Sequence, residues 1–211
     1  MNTITLTGTV SEFKATHQIK DTMMYKGIMK VVRTSGTVDS IPFVTSDSSI
    51  KTDNVSVYTI KGEVRTRNYQ DANGKNHKNM FVKARDIVEQ SFDDIREGCE
   101  LNHNKVELQG YLVHKDTVHL TPAGKTILDF IIATNHAYGK SSYISCIAWG
   151  LDAEELSMLD IGAEIALEGR FQSREYVKQI PCQYRGDVVI EGERNEVRTA
   201  YEISVRTFKK V

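Results

Sequence analysis

The sequence predicts a mostly β protein made of two copies of one five-stranded unit. Three observations support this prediction: a period-two alternation of apolar and polar residues, few windows with a helical period, and a collinear internal repeat. The chain has 211 residues, the size expected for two domains of about 100 residues each. Hydrophobic residues make up 40% and charged residues 26%, which excludes collagen-like and wholly disordered chains.

Alternating segments bounded by Gly, Asn and Asp predict nine strands and two short helices. The first helix, Ser91–Glu97, begins at a Ser N-cap and ends before Gly98. The second helix, Leu151–Leu159, ends before Gly162. The predicted strands, in chain order, are Thr3–Val10, Met24–Arg33, Asn54–Arg67, Asn79–Val88, Lys105–Val113, Thr126–Thr134, Ser142–Trp149, Glu164–Tyr176 and Ala200–Phe208.

The internal repeat consists of three pairs of similar segments in the same order. Their offsets of 102, 107 and 121 residues grow in one direction, as expected if the second copy has longer loops. Chance similarity between alternating β sequences is the alternative, but it does not explain the collinearity. The repeat predicts a boundary near Gly98–Asn102. The pairs are Asn2–Gly8 with Asn104–Gly110, Gly62–Tyr69 with Gly169–Tyr176, and Val82–Arg85 with Ile203–Arg206.

Strand alternation predicts which side chains face outward in the repeated strand, because successive residues point to opposite faces. In the second copy, Ile165, Leu167, Gly169 and Phe171 form the predicted inner set. Alternating cations and aromatic rings suit single-stranded nucleic acid, since cations meet phosphates and rings stack on bases. A solvated strand with scattered Arg and Tyr is the alternative. The outward residues are Arg170, Gln172, Arg174 and Tyr176 in the second copy, and Glu63, Arg65, Arg67 and Tyr69 in the first.

The strand Ser142–Trp149 adds two aromatic rings to the predicted outer face. Ile144, Cys146 and Ala148 share the inner parity, whereas Tyr143 and Trp149 share the outer one. A core position for Trp149 is the alternative, because a lone Trp in a small domain is usually buried. Tyr138 and Lys140 lie in a predicted loop that could reach the same groove.

The net charge of −1 argues against strong attraction of nucleic acid by the chain as a whole. The segment Lys61–Arg85 differs, because it holds seven Lys or Arg residues against Glu63 and Asp71. This predicted hairpin, with a turn near Asn73–Gly74, is a candidate contact for phosphates. A soluble edge hairpin guarded by cations is the alternative.

Metal-dependent catalysis is not expected. Cys99 with His103, or His114 with His119, could be nominated as ligands of a nuclease, but neither pair has a CxxC or HExxH spacing. We therefore predict no enzyme activity, no metal and no cofactor. The odd number of cysteines and the lack of a long apolar run or leader favour a cytoplasmic protein without membrane segments. The cysteines are Cys99, Cys146 and Cys182.

Four runs of the second copy resemble the bacterial single-stranded DNA-binding proteins. They are Asn104–Gly110, Thr121–Lys125, Tyr143–Gly150 and Leu167–Tyr176. The resemblance covers residues 103–178 well, with Ala200–Phe208 as the closing strand, and the first copy resembles a remote member. It implies two tandem OB-folds, a diverged one at 1–98 and a second at 99–211. It also implies an insertion at Lys178–Thr199 in place of a short hairpin loop, which could extend the hairpin, contact DNA or mediate assembly.

The resemblance further implies how the chain acts. In that family, bases stack on aromatic rings at positions that match Tyr138, Tyr143, Trp149 and Tyr176. The first copy keeps Tyr69, whereas its counterparts of Tyr143 and Trp149 would lie near Ile41 and Asp47, with Phe43 as a weak substitute.

The function implied is sequence-nonspecific binding and protection of single-stranded DNA in replication, recombination or repair. Four OB-folds per assembly would make this chain a homodimer. The sequence ends in Lys209–Val211 instead of an acidic tip, so recruitment of partners through such a tail is not expected. The alternative function is a replication-restart or mobile-element accessory protein whose OB-folds mainly contact protein or RNA.

Overall fold

The computed structural model describes the chain except residues 54, 71–73, 75, 92, 95–99, 137–138 and 182–192, and excludes the side chains at 76, 77, 180, 181, 193 and 194. Within the described ranges, helix α1 spans Leu151–Ser157. The strands are β1 (Asn2–Ile19), β2 (Thr22–Val32), β3 (Val38–Thr45), β4 (Val57–Gln70), β5 (Asn76–Glu89), β6 (Asn104–Lys115), β7 (His119–Leu120), β8 (Thr126–Asn135), β9 (Ser141–Trp149), β10 (Glu164–Pro181) and β11 (Glu193–Lys210).

Two closed barrels with the same strand pairing make up the fold. In the first barrel, β1 pairs with β2 and β4, β2 with β3, and β4 with β5, while a parallel pair, β3 and β5, closes the ring. In the second barrel, β6 pairs with β8 and β10, β8 with β9, and β10 with β11, and the parallel pair β9 and β11 closes it. This is the pairing of an OB-fold, so the predicted fold class of two tandem OB-folds is confirmed.

Each barrel encloses its own apolar core, formed by the inward parity of its strands. In β9 the predicted inner residues Ile144, Cys146 and Ala148 are all buried, but Ile147 of the outer parity is buried as well, at 6% exposure. The predicted second helix is also present as α1, which packs against β8 and β9 and buries Ala153 and Leu156. The largest core residues are Ile4, Leu6, Met29, Ile41, Phe43, Tyr58 and Ile60 in the first barrel, and Leu108, Leu112, Leu128, Phe130 and Phe171 in the second.

Equivalent hydrogen bonds show how the two barrels correspond. The Asn2 amide donates to the carbonyl oxygen of Val64 at 2.8 Å and accepts from the Val64 N–H at 2.9 Å. Asn104 makes the same two bonds with Phe171, at 2.7 and 2.9 Å. The offsets of 102 residues between the asparagines and 107 between their partners are those of the sequence repeat.

Two repeated glycines mark equivalent β-bulges. The register shifts between Lys61 and Gly62 in the first barrel and between Glu168 and Gly169 in the second. A Cβ added at either glycine would overlap a carbonyl oxygen of the next strand, that of Lys83 or of Ser204. Glycine therefore recurs because the neighbouring backbones approach too closely for any side chain.

Antiparallel pairing of β1 with β6 joins the barrels into one 11-stranded sheet. Ile4 lies opposite Val106, its own counterpart in the repeat, so equivalent residues of the two barrels pair reciprocally on either side of this pair. The connection between β5 and β6 contains the predicted boundary at residues 98 and 99, which lies outside the described residues. Most of the predicted helix 91–97 and most of the hairpin turn at 71–75 also lie outside them.

Two strands, β3 and the short β7, were not predicted, and β1, β10 and β11 were predicted too short. Strand β3 was missed, because Pro42 interrupts its pattern and because Ile41, Pro42 and Phe43 are all buried instead of alternating. Strands β1 and β10 run beyond their predicted ends at Val10 and Tyr176, because each continues as a hairpin that projects past its barrel. The projecting part encloses no core, so its residues do not show the alternation on which the prediction depended. The insertion at 178–199 thus begins and ends as strand, with its centre outside the described residues.

Candidate nucleic-acid interface

Three of the four aromatic residues predicted to stack with bases lie partly open on the outer surface of the second barrel. Tyr143 is 49% exposed, Trp149 37% and Tyr176 38%. The Trp149 indole N–H donates to the hydroxyl oxygen of Ser204 at 3.1 Å, which fixes the orientation of the ring. Exposed rings that are held in place present flat apolar faces, on which bases can stack without ordering a loose side chain.

Arginine side chains accompany these rings. The Arg174 guanidinium carbon lies 5.9 Å from the centroid of the Tyr176 ring, within cation–π range. Arg170 donates to the side-chain oxygen of Gln172 at 3.3 Å. Its Nε is buried and has no hydrogen-bond partner among the described residues. Burial lowers the pKa of Arg170, but a guanidinium keeps its charge, so an anion would satisfy this group.

Trp149 and Arg170 stand between two depressions of the surface. The larger, of about 830 Å³, separates β3 of the first barrel from the second barrel and is also lined by Arg174. The smaller, of about 370 Å³, is lined by the same two residues together with Lys125 and Arg206. Cations therefore line the surface on both sides of the Trp149 ring, as expected along a nucleic-acid backbone, while Asp129, Glu175 and Glu202 also line the larger depression.

The prediction that Gln172 lies outside is wrong. Gln172 is 5% exposed, and its amide donates to the Glu202 carboxylate at 2.6 Å. Glu63, which belongs to the predicted outer set of the first copy, is also buried, with 7% of its surface exposed. The physical reason is that each side chain pairs with neighbours in its own barrel, Gln172 with Glu202 and Glu63 with Arg65 and Arg85, so outward parity does not mean contact with water there.

Contacts around Ser173 hold β3 of the first barrel against β10. The Ser173 hydroxyl oxygen accepts from the Ser40 N–H at 2.8 Å, and the Ser173 N–H donates to the Asp39 carboxylate at 2.8 Å. Asp39 is fully buried and receives two further bonds from Arg33, at 2.8 and 2.6 Å. These contacts form the floor of the larger depression.

The equivalent contact on the other side of the molecule corrects the alignment of the two copies. The Tyr143 N–H donates to the Thr66 hydroxyl oxygen at 3.1 Å, as the Ser40 N–H does to Ser173. Ser40 is therefore the counterpart of Tyr143, one residue before the predicted position at Ile41. Since strands alternate, that one residue puts Ile41 in the core, and Phe43 is likewise fully buried.

The outer face of the first barrel is charged and poor in rings. Arg67 is exposed, and Tyr69 is 42% exposed. Arg65 is instead half-buried and paired with the Glu63 carboxylate. Burial lowers the pKa of Arg65. The same offset that pairs Ser40 with Tyr143 makes Ser46 the counterpart of Trp149, so no ring occupies either position.

One cation on this surface was missed as a site residue. Lys78 of β5 reaches across to the second barrel, where its ammonium group donates to the Ser145 hydroxyl oxygen at 2.7 Å, two residues from Tyr143. Burial lowers the pKa of Lys78. The basic composition of the hairpin was the only signal in the sequence. Lys140 is exposed beside β9, and Tyr138 lies outside the described residues.

Other chemistry has little support on the part of the chain that the structure describes. No group of three or more His, Cys, Asp and Glu side chains there could hold a metal ion. Cys146 is buried and free, while Cys99 and Cys182 lie outside the described residues. No described helix has the length and apolar character required to span a membrane.

Comparisons with known proteins match this geometry. The "Single-strand binding protein family" model matches residues 103–211. "Single-stranded DNA-binding protein 2" of Listeria monocytogenes serovar 1/2a is 30% identical over 80 residues, which cover 35% of this chain and 50% of that protein. The "Single-stranded DNA-binding protein" of Oceanobacillus iheyensis is 29% identical over 83 residues, covering 36% and 52%. The chain thus spans about half the length of the curated relatives it matches.

Solved structures extend the likeness to the first barrel. The wild-type single-stranded DNA binding protein from Thermus aquaticus superposes with a TM-score of 0.68 at 15% identity, covering 100% of this chain and 93% of that one. A deletion mutant of that protein gives a TM-score of 0.70 at 15% identity, covering 100% and 94%. These two similarities show the fold. Since the family model matches more than half of the sequence, the chain belongs to the single-strand binding protein family.

Proposed function

We propose that this chain binds single-stranded DNA with little sequence preference and protects it during replication, recombination or repair. The observation that carries the proposal is the set of three partly open rings on the second barrel, Tyr143, Trp149 and Tyr176, with Arg170 near Trp149 and Arg174 over Tyr176. Stacking tolerates any base, and guanidinium groups recognise phosphates without regard to sequence. Membership of the family and the names of the relatives support the same ligand.

The proposed contact surface extends beyond these five residues. Lys140 lies beside it, and Tyr138 belongs to it by resemblance. Lys78 supplies a cation from the first barrel at Ser145. In the first barrel, Arg67 and Tyr69 are the exposed candidates, and Arg65 would join them only when released from Glu63.

Substitution of single rings tests the proposal. Tyr143→Ala and Tyr176→Ala should each weaken binding of a labelled oligothymidylate about 5- to 150-fold, because stacking on one ring contributes about 1–3 kcal/mol per base. Fluorescence anisotropy measures the affinity. Tyr111→Ala is the matched control, since Tyr111 is 43% exposed but lies on β6, outside the proposed contact surface on β9 and β10. Equal affinity of all three variants would refute the proposed surface.

Competition separates the proposal from its alternatives. Unlabelled single-stranded DNA should displace the probe, whereas duplex DNA of the same length should not. An RNA oligonucleotide that competes equally well would widen the ligand class, because neither stacking nor phosphate contact detects the 2′-hydroxyl. Failure of every nucleic acid to bind would instead favour a role in protein contacts.

We further propose a division of the chain at residues 98 and 99 and assembly into a homodimer with four OB-folds. The two barrels of each chain and the resemblance to the family support this arrangement. Light scattering after size exclusion should give twice the chain mass of 23.8 kDa. A mass of one chain at micromolar concentration would contradict the dimer.

A further inference from the structure

The first barrel carries a carboxylate at the position where the second barrel carries an arginine. Gly62 and Gly169 mark equivalent bulges, so the next residue of each strand, Glu63 or Arg170, occupies the same place on the outer face. Arg170 lines both depressions around Trp149. The repeat therefore reverses the charge at one point of the proposed contact surface.

Glu63 holds two arginines of its own barrel. One carboxylate oxygen pairs with Arg65, and the other pairs with Arg85. The Glu63 side chain is 10% exposed, whereas that of Arg85 is 66% exposed. The Nε of Arg65 has no hydrogen-bond partner in the described part of the chain. The two guanidinium groups thus converge on one anion at the surface, as they would on a phosphate.

The cations in this region of the second barrel are less fully engaged, and the counterpart of Arg65 there is the uncharged Gln172. Arg206, the counterpart of Arg85 at the 121-residue offset, lies 3.6 Å from Glu168 and is 72% exposed. Arg170 contacts only the side-chain oxygen of Gln172 among the hydrogen bonds described. The rings and the less fully paired cations therefore favour nucleic acid on the second barrel, whereas on the first Ser40 and Ser46 replace the rings and Glu63 pairs with two arginines.

We infer that Glu63 is an internal anion that occupies the phosphate-binding arginines of the first barrel and limits the contribution of that barrel to single-stranded DNA binding. This inference rests on the proposed function. A carboxylate held in this place competes with a phosphate for Arg65 and Arg85 and repels phosphates nearby. Glu63 thereby makes the tandem protein asymmetric, with the second barrel as the principal binding unit.

Neutralising the carboxylate tests the inference. Glu63→Gln keeps the shape and one acceptor, and frees both guanidinium groups for phosphates. We expect about 2- to 30-fold tighter binding, from two partly exposed ion pairs with phosphate. Each additional phosphate neutralised on a single strand also steepens the dependence of log K on log salt by about 0.7. The gain should be larger on an oligothymidylate of about 30 nucleotides than on one of about 10, which one OB-fold can fill.

Two further variants make the result decisive. Glu89→Gln removes the same charge from an exposed ion pair with Lys51 that lies outside the proposed DNA-contact surface. This variant should give no comparable gain in affinity. The triple variant E63Q/R65Q/R85Q should lose the gain, because the freed guanidinium groups are gone. A thermal melt checks folding, and Glu63→Ala replaces Glu63→Gln if the glutamine variant does not fold.

The outcomes separate the inference from the proposed function. If the unaltered protein binds DNA but E63Q matches it in affinity and salt slope, the inference is wrong. An equal gain in E89Q, or a gain that persists in the triple variant, would also overturn it. If the unaltered protein binds no single-stranded DNA, the proposed function fails instead.

Discussion

Replacement of Asp39 by alanine should destabilise the whole molecule. Asp39 is fully buried where the two barrels meet, and it accepts two hydrogen bonds from Arg33 and one from Ser173. Removing one partner of a buried ion pair costs about 3–5 kcal/mol, because the other charge is left uncompensated. Since the Arg33 side chain is 21% exposed and can reach water, we expect the lower value, about 3 kcal/mol.

Thermal unfolding followed by circular dichroism measures this effect. For a chain of this size, a change of about 3 kcal/mol lowers the midpoint by about 6–12 °C. Asp39→Asn should fall between the alanine variant and the unaltered protein, because the amide can still accept from the Ser173 N–H but cannot neutralise Arg33. Glu89→Ala is the control, since Glu89 and Lys51 form an exposed pair whose loss should barely move the midpoint. A midpoint of Asp39→Ala equal to that of the control would refute the conclusion that the Asp39 contacts hold the two barrels together.

Three other predictions concern single groups. Gly62→Ala should lower the free energy of unfolding by about 1–3 kcal/mol in urea denaturation, because the added Cβ overlaps the Lys83 carbonyl; an unchanged midpoint would contradict the close approach. Burial and the nearby Arg65 hold the pKa of His136 below its ordinary value of 6.5. The neutral imidazole therefore contributes to stability above about pH 6.5, and this contribution is lost as the pH falls through the lowered pKa. His136→Gln should therefore reduce the loss of stability between about pH 7.5 and pH 5, and an identical pH profile would contradict this. Burial raises the pKa of the Cys146 thiol, so a thiol reagent should label it only after denaturation, as peptide mass mapping can show; labelling of the native protein would contradict its burial.

Local sequence periodicity was sufficient to predict most strands and part of the aromatic face, whereas the OB-fold barrels were implied by the resemblance to the family. In β9, alternation separates the buried Ile144 from the exposed Tyr143 and Trp149. The repeated glycines of β4 and β10 were recognisable in sequence, and the structure gives their reason in the close approach of the neighbouring strand. These features depend on a strand and its immediate neighbours, which is why they can be predicted from the order of residues.

Contacts between residues far apart in the sequence could not be predicted in the same way. Gln172 was assigned to the exposed face, but it is buried and its amide donates to Glu202 of the neighbouring strand β11. Lys78 reaches Ser145 from 67 residues away, and nothing in its local sequence indicates that partner. The Ser40 counterpart of Tyr143 was misplaced by one residue, because loops of different length separate the matched segments. Each of these errors concerns long-range packing, which a period of two does not encode.

The distribution of charge matters more for this chain than its total. A net charge of −1 is compatible with a binding surface because cations and anions are unevenly placed. Around Trp149 the lining includes Lys125, Arg170 and Arg206, whereas on the first barrel Glu63 neutralises its neighbouring arginines. We therefore expect binding to depend strongly on salt even though the whole chain is nearly neutral.

The intrinsic fluorescence of Trp149 provides the most direct test of the central proposal. Trp149 is the only tryptophan of the chain, and its ring is 37% exposed on the proposed surface. Titration with oligothymidylate should quench this fluorescence as bases stack on the indole, and added salt should weaken the binding along a linear log–log plot. Unchanged fluorescence together with no salt-dependent binding would contradict the account.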